Sequence, residues 1–195
     1  MQLIERISST FGSLRRPGPH ELREAWESID ASLDEILPYA GDPGVYPYGR
    51  KKLYATGDIE ILAMNWASHR PCAPHDHGHS FGWINVMAGT VRHTLYTLDQ
   101  DDIPVSFLTR DEQCGSRYFA PRGMIHSMEN PTDDLTVTLH LYAPPITGMR
   151  VYDLERCAAC VVSDDCGAWW PEEQRQLVQE IKLSRTRTVR EEALS

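Results

Sequence analysis

The stretch "PHDHGHSFGWINVMAG", residues 74–89, sets His75, His77 and His79 at every second position. Alternate residues of a strand share a face, so two imidazoles at i and i+2 can be aimed at one point. Neutral imidazole suits zinc, copper, iron and nickel alike. A single histidine in a strand is more often structural, but His75 and His77 flanking an aspartate form a ligand pair. A third ligand has to come from another strand. "GSRYFAPRGMIHSMEN" offers His126, just after a Pro-x-Gly turn able to aim its ring inward. A second polar set lies in "LTVTLHLYAPP", where Val137, Leu139 and Leu141 alternate with Thr138, His140 and Tyr142. Alternation alone describes a half-buried strand with a wet face. Turned inward, a hydroxyl, an imidazole and a phenol in a row make a hydrogen-bond relay toward a metal.

These residues need strands to hold them, and the chain supplies strands. From Leu53 to about Leu154, short β-prone runs follow one another: "IEILAMNW", "WINVMAG", "TVRHTLYTL", "IPVSFL", "SRYFAP", "LTVTLHLYA" and "RVYDL". Turn signals such as "TGD", "DQDD", "PRG" and "NPTDD" separate them, the pattern of a β-sandwich or small barrel. Ahead of them, "HELREAWESIDASLDEIL" has helical apolar spacing and is closed by Pro38, and "YAGDPGVYPYGR" reads as a connector. Behind them, "WWPEEQRQLVQEIKL" predicts a C-terminal helix with Pro171 in its first turn. The last ten residues read as a frayed end. The expected organisation is one domain over 1–195, with a helical N-terminal segment 1–45, a barrel core at about 46–155, and a Cys-containing, helical extension 156–195.

The formal net charge is −9 over 195 residues, which argues against a nucleic-acid partner. No apolar run approaches the roughly 20 residues that span a bilayer. "MQLIERISST" lacks the features of a signal peptide, so no membrane partner and a cytoplasmic location are the expectation. Five cysteines, an odd number, are expected as reduced thiols. Cys157, Cys160 and Cys166 are a weak zinc pattern, because a structural site wants four ligands. Free thiols or a redox pair, outside the main site, are the preferred reading. His20, His69 and His93 carry no partner pattern and are assigned to the surface. His79 is assigned to the surface or a pocket wall, since a loop should break the alternation after Gly78.

Gly115, Pro121, Gly123, His126 and Asn130 fit the second cupin motif, G-x5-P-x-G-x2-H-x3-N, at every fixed position. His75, His77 and Gly89 fit the first, H-x-H-x4-E-x6-G, with Gly82 where that motif has glutamate. The chain therefore resembles the cupins, and the resemblance implies a mainly β fold: a small jelly-roll β-barrel with an N-terminal and a C-terminal helix. Three neutral histidines leave a dication's charge uncompensated, which favours an anionic ligand such as a thiolate. The vacancy at Gly82 is read as keeping a coordination position open.

Over residues 45 to 150 the closer resemblance is to the cysteine dioxygenases. "HLYAPP" at His140–Pro145 is similar to that family's "HLYSPP"-like stretch, with Thr138 in place of a serine. The resemblance implies Fe(II) held by His75, His77 and His126. It implies a catalytic relay of Thr138, His140 and Tyr142, and a substrate carboxylate bound by Arg50 with Tyr142 also at the substrate. Animal members carry a cysteine at the position of Gly82, cross-linked to the tyrosine, so Tyr142 should here be a free phenol. The implied partners are a small thiol and dioxygen, best L-cysteine giving cysteine sulfinate, and the implied assembly is a monomer or small homo-oligomer. Dioxygenation of 3-mercaptopropionate or mercaptosuccinate, a non-redox metal cupin, and a small-molecule-binding or thiol-sensing cupin are the rival readings. An exposed arginine without function is the rival reading of Arg50.

Overall fold

The computed structural model describes residues 2–183. Three helices come first: α1 (Leu3–Phe11), α2 (Pro19–Ile29) and α3 (Leu33–Ile36), followed by one 3-10 turn at Leu37–Tyr39. Helix α1 lies within the helical segment expected over 1–45 but was not read as a helix of its own; Leu3, Ile7 and Phe11 repeat every four residues and are all buried. The single helix read over 20–37 is broken at Asp30, which takes a left-handed φ of 47°. Ser32 then starts α3, with its backbone N–H donating to Glu35.

Eleven strands follow: β1 (Tyr48–Ala55), β2 (Glu60–Trp66), β3 (Phe81–Ala88), β4 (Thr90–Leu98), β5 (Pro104–Gln113), β6 (Arg117–Ala120), β7 (Ile125–Glu129), β8 (Thr136–Ala143), β9 (Arg150–Asp153), β10 (Ala158–Val162) and β11 (Leu177–Lys182). They make a five-stranded sheet in the order β1-β2-β8-β3-β6 and two three-stranded sheets, β5-β4-β7 and β11-β10-β9. His75 joins the two smaller sheets edge to edge, bridging His126 of β7 on one side and Val151 of β9 on the other. The result is a two-sheet jelly roll, mainly β with helices at the N-terminus.

The inner strands of the five-stranded sheet are covered on both faces, while its edge strands β1 and β6 keep exposed residues. Its outer face meets the helices, where Ile7, Phe11, Leu22 and Trp26 pack on Ile61, Val137, Leu139 and Leu141. Its inner face joins Leu62, Met64, Ile84 and Tyr142 to Val91 and Met128 of the opposite sheet. Every residue of β8 is therefore buried, and its polar alternates turn into the barrel rather than to water.

The C-terminal helix is not formed over 169–183. A 3-10 turn at Gln174–Gln176 leads into β11, which pairs antiparallel with β10, Val161 opposite Gln179 and Ala159 opposite Ile181. Leu177 and Ile181, four apart, satisfy helical spacing but equally share one face of a strand. Packing decides between them: Leu177 joins the cluster of Val151, Cys160 and Val162, and Ile181 that of Tyr152 and Ala159. The expectation of a frayed end over the last ten residues lies outside the described residues.

Candidate metal centre

The backbone brings the first histidine to the third. His75 donates its N–H to the His126 carbonyl at 2.9 Å and accepts the His126 N–H at 3.0 Å. Asp76 is a brace, not a ligand: its carboxylate accepts the N–H groups of Gly78 at 3.0 Å and Arg150 at 2.9 Å. That brace holds the turn at Gly78, whose φ of +57° sends His79 out to solvent. His75, His77 and His126 are all buried, and their ligand-capable nitrogens lie within 4.8 Å of one another. No other group of this kind occurs among the described residues.

The donor set fits a metal. The Nε2 atoms of His77 and His126 are 3.2 Å apart. Two nitrogens bound at about 2.1 Å and at right angles to each other would sit about 3 Å apart. His75 Nδ1 lies 2.9 Å from the Ala73 carbonyl, which can only accept, so that nitrogen carries the proton and Nε2 keeps its lone pair for the cluster. Burial lowers the pKa of His75 from 6.5 to about 4 and holds His77 and His126 well below 6.5, with the neighbouring histidines adding to the effect at the latter two. All three are neutral at pH 7, the state in which imidazole binds a metal.

Burial likewise lowers His140 to about 3 and His93 to about 4. In the unfolded chain these groups take protons near pH 6.5, so between about pH 6.5 and pH 3–4 the unfolded state binds more protons than the folded one. Stability must therefore fall on acidification through that window. The thermal midpoint of metal-free protein is expected to drop steadily from pH 7 to pH 4.5. A flat profile would mean the histidine cluster is hydrated and protonated in the fold.

Behind the cluster, Thr138, His140 and Tyr142 form the relay on the inner face of β8. Thr138 Oγ1 is 2.8 Å from His140 Nε2, His140 Nδ1 is 2.9 Å from the Tyr142 hydroxyl, and that hydroxyl is 3.1 Å from His77 Nε2. Trp66 sets the direction. Its indole N–H, which can only donate, reaches Thr138 Oγ1 at 2.8 Å. Thr138 can then pass its own hydrogen to His140 Nε2, His140 Nδ1–H donates to Tyr142, and the phenol hydrogen is left for the cavity. Burial raises the Tyr142 pKa well above 10, so the phenol keeps that hydrogen.

Arg50, on β1, lines the same cavity as His75, His77, His140 and Tyr142. Its guanidinium donates to the Asp164 carbonyl at 2.6 Å and forms no ion pair among the described residues. Among the described residues, no acidic side chain lines the cavity. Gly82 sits beside Tyr142, and a Cβ there would lie inside contact distance of the Leu141 carbonyl and 2.6 Å from Tyr142 Cδ1. The space from which a side chain at position 82 would start is thus filled by the Tyr142 ring.

Two residues of the site were not anticipated. Trp66 ends β2, and nothing in its own spacing marks it. His93 was assigned to the surface; it is 4% exposed, with Nε2 2.8 Å from His126 Nδ1. The signal was present: in "TVRHTLYTL", Val91 and His93 alternate with Thr90, Arg92 and Thr94, so a histidine shares the inward face. His20 and His69 are exposed. Cys160 and Cys166 are buried and free, Cys157 is half-buried, and burial pushes the Cys160 thiol up to about 12, which makes it unreactive.

The family model for cysteine dioxygenase type I matches residues 23–155, which takes in part of α2, all of α3, both histidine motifs and the relay. Cysteine dioxygenase type 1 of Danio rerio is 23% identical over 141 residues, covering 68% of this chain and 69% of the relative. Among solved structures, a conserved protein with a double-stranded β-helix domain from Klebsiella pneumoniae superposes with a TM-score of 0.51 at 16% identity, over 60% of this chain and 94% of that one. That likeness bears on the fold alone.

Proposed function

The chain belongs to the cysteine dioxygenase type I family and is a thiol dioxygenase, and from that premise we propose that it holds Fe(II) on His75, His77 and His126 and converts a small thiol carboxylic acid to its sulfinate, L-cysteine to cysteine sulfinate being the preferred reaction. The reaction balances without a further reductant: R–SH and O2 give R–SO2H. Sulfur gives up four electrons, dioxygen takes them, two S–O bonds form and the O–O bond breaks. Bound iron would supply the positive charge that favours the thiolate and the redox chemistry joining sulfur to oxygen.

The charge of the cavity carries this reading. Three neutral histidines, a guanidinium with a carbonyl partner but no ion pair, and no acidic wall among the described residues leave a dication and Arg50 uncompensated, so the fitting substrate brings two negative groups. A thiolate suits the metal and a carboxylate suits the planar fork of arginine. Tyr142, at the cavity end of the relay, offers an O–H donor beside His77 to orient what binds there. L-Cysteine and 3-mercaptopropionate both meet the requirement, and the relative's name supports cysteine. The lack of a wall carboxylate among the described residues to pair an ammonium favours 3-mercaptopropionate as the second reading. A reducing, cytoplasmic setting belongs to the same proposal, supported by five free cysteines.

The test is aerobic turnover of the Fe(II)-loaded protein with cysteine, 3-mercaptopropionate, mercaptosuccinate and cysteamine, following oxygen uptake and product mass. Arg50→Ala should cost a thiol carboxylate about 2–5 kcal/mol of binding, at least roughly 30-fold in kcat/KM, while leaving cysteamine nearly unchanged. Equal losses for both substrates would remove Arg50 from the substrate site, and absence of sulfinate with every thiol would overturn the function.

A further inference from the structure

His93 does nothing in the chemistry described so far, yet it is buried against the metal cluster. Strand β4 pairs with β7 so that Leu95 lies opposite His126 and His93 opposite Met128. This places His93 diagonally across from His126, a separation that a long side chain can close. Its ring stacks on Tyr118, with centroids 4.6 Å apart and planes 28° apart, and stands nearly perpendicular to the His126 ring at 83°. A stacked ring on a paired strand has little freedom to turn away.

The reading of His126 as a metal ligand then sets the tautomers. His126 Nε2 faces the other two histidines and must keep its lone pair free to bind a metal, so its proton sits on Nδ1. The atom that receives this proton's hydrogen bond is His93 Nε2, at 2.8 Å. Metal-bound histidines usually give that hydrogen bond to a carboxylate, a backbone carbonyl or water. Here the acceptor is a neutral imidazole.

We propose that His93 is a positioning residue: it accepts the Nδ1–H of His126, fixes the tautomer and ring orientation of that ligand, and does so without adding negative charge behind it. The inference rests on the reading of the three histidines as metal ligands. The neutral acceptor matches the rest of the shell. His75 leans on a neutral carbonyl, and His77 Nδ1 is buried without a partner. A carboxylate at position 93 would pull the His126 proton, make its imidazole a stronger electron donor and reduce the positive charge that draws in a thiolate. His93 thus keeps the centre both ordered and electron-poor.

Three variants separate these roles. His93→Leu removes the acceptor and keeps an apolar side chain against Tyr118. His93→Gln restores a neutral acceptor oxygen at comparable reach, and His93→Glu restores it with charge. Affinity for Co(II), measured by competition with a chromophoric chelator at pH 7.5, should fall roughly 10–100-fold in His93→Leu and return toward wild type in His93→Gln. In the Co(II) protein, the shifted and exchangeable N–H proton resonance of His126 should be lost or move in His93→Leu and reappear in His93→Gln. In the iron protein, His93→Glu should bind metal at least as tightly as wild type while its ferric/ferrous potential moves negative. Equal Co(II) affinity and an unchanged N–H resonance across wild type and His93→Leu would overturn the proposal. A wild-type protein that binds no metal would overturn the three-histidine reading first. A wild type that binds metal but oxidises no thiol leaves the His93 comparison decisive in its own right.

Discussion

Alanine at His75, His77 or His126 is expected to strip the protein of metal and end thiol oxidation, whereas His79→Ala should retain both. Apparent binding energies of about 10–16 kcal/mol for four-ligand structural zinc sites amount to about 2.5–4 kcal/mol per ligand. Losing one of three ligands should therefore weaken binding at least roughly 60-fold. His126 should show the largest secondary effect, since its ring is fully buried and its removal leaves His93 Nε2 without its partner. His79 faces solvent beyond the Gly78 turn and is not part of the buried three-histidine group, so its loss should not matter. Iron per chain after dialysis, with the thermal midpoint as a control for folding, reads all four variants. Iron lost from His79→Ala and kept by any of the other three would show that the ligand set is wrong.

The same comparison explains which parts of the molecule were legible in its sequence. His75 and His126 announce themselves through two spaced motifs, and the Thr138-His140-Tyr142 row through strict alternation. In both cases a local period is tied to a face, and the fold only had to say which face is inside. Helices over the outer side of β8 settle that, since Leu139 and Leu141 meet Phe11 and Trp26 while His140 turns inward. What was not legible depended on partners distant in the chain. Trp66 matters because β2 pairs with β8 and places its indole under Thr138, 72 residues away. His93 matters because β4 pairs with β7 in one register rather than another. The C-terminal helix failed for a related reason: Leu177 and Ile181 suit a helix or a strand equally, and the free edge of β10 chose the strand. The break at Asp30 is different, being a local left-handed turn that apolar spacing does not register.

Gly82→Glu carries the other large expected effect, and the structure reverses its sense. Read from the motif alone, a glutamate at this position should join the histidines as a fourth ligand and displace the thiolate from the metal. In the fold, β3 and β8 run side by side with Gly82 opposite Tyr142, and the Tyr142 ring lies over the place where a side chain would start. The nearest backbone atom is the Leu141 carbonyl oxygen, which belongs to the central strand of the five-stranded sheet and cannot move alone. Overpacking of this kind typically costs about 1–3 kcal/mol, and a buried carboxylate adds several more if it finds no partner. Against a total stability of about 5–15 kcal/mol, glutamate is expected to leave little folded protein. Gly82→Ala isolates the first part: it should fold with a lowered thermal midpoint and turn the Tyr142 ring, breaking the 2.9 Å contact with His140 and the 3.1 Å contact with His77. Turnover should fall more than metal content does, because the relay is disturbed and the three histidines are not. The measurement is the ratio of kcat to bound iron in Gly82→Ala, set beside the thermal midpoint of both variants. A Gly82→Glu protein with wild-type stability would show that β3 and β8 part easily at this point, and its carboxylate would then be free to reach the metal as the motif suggests.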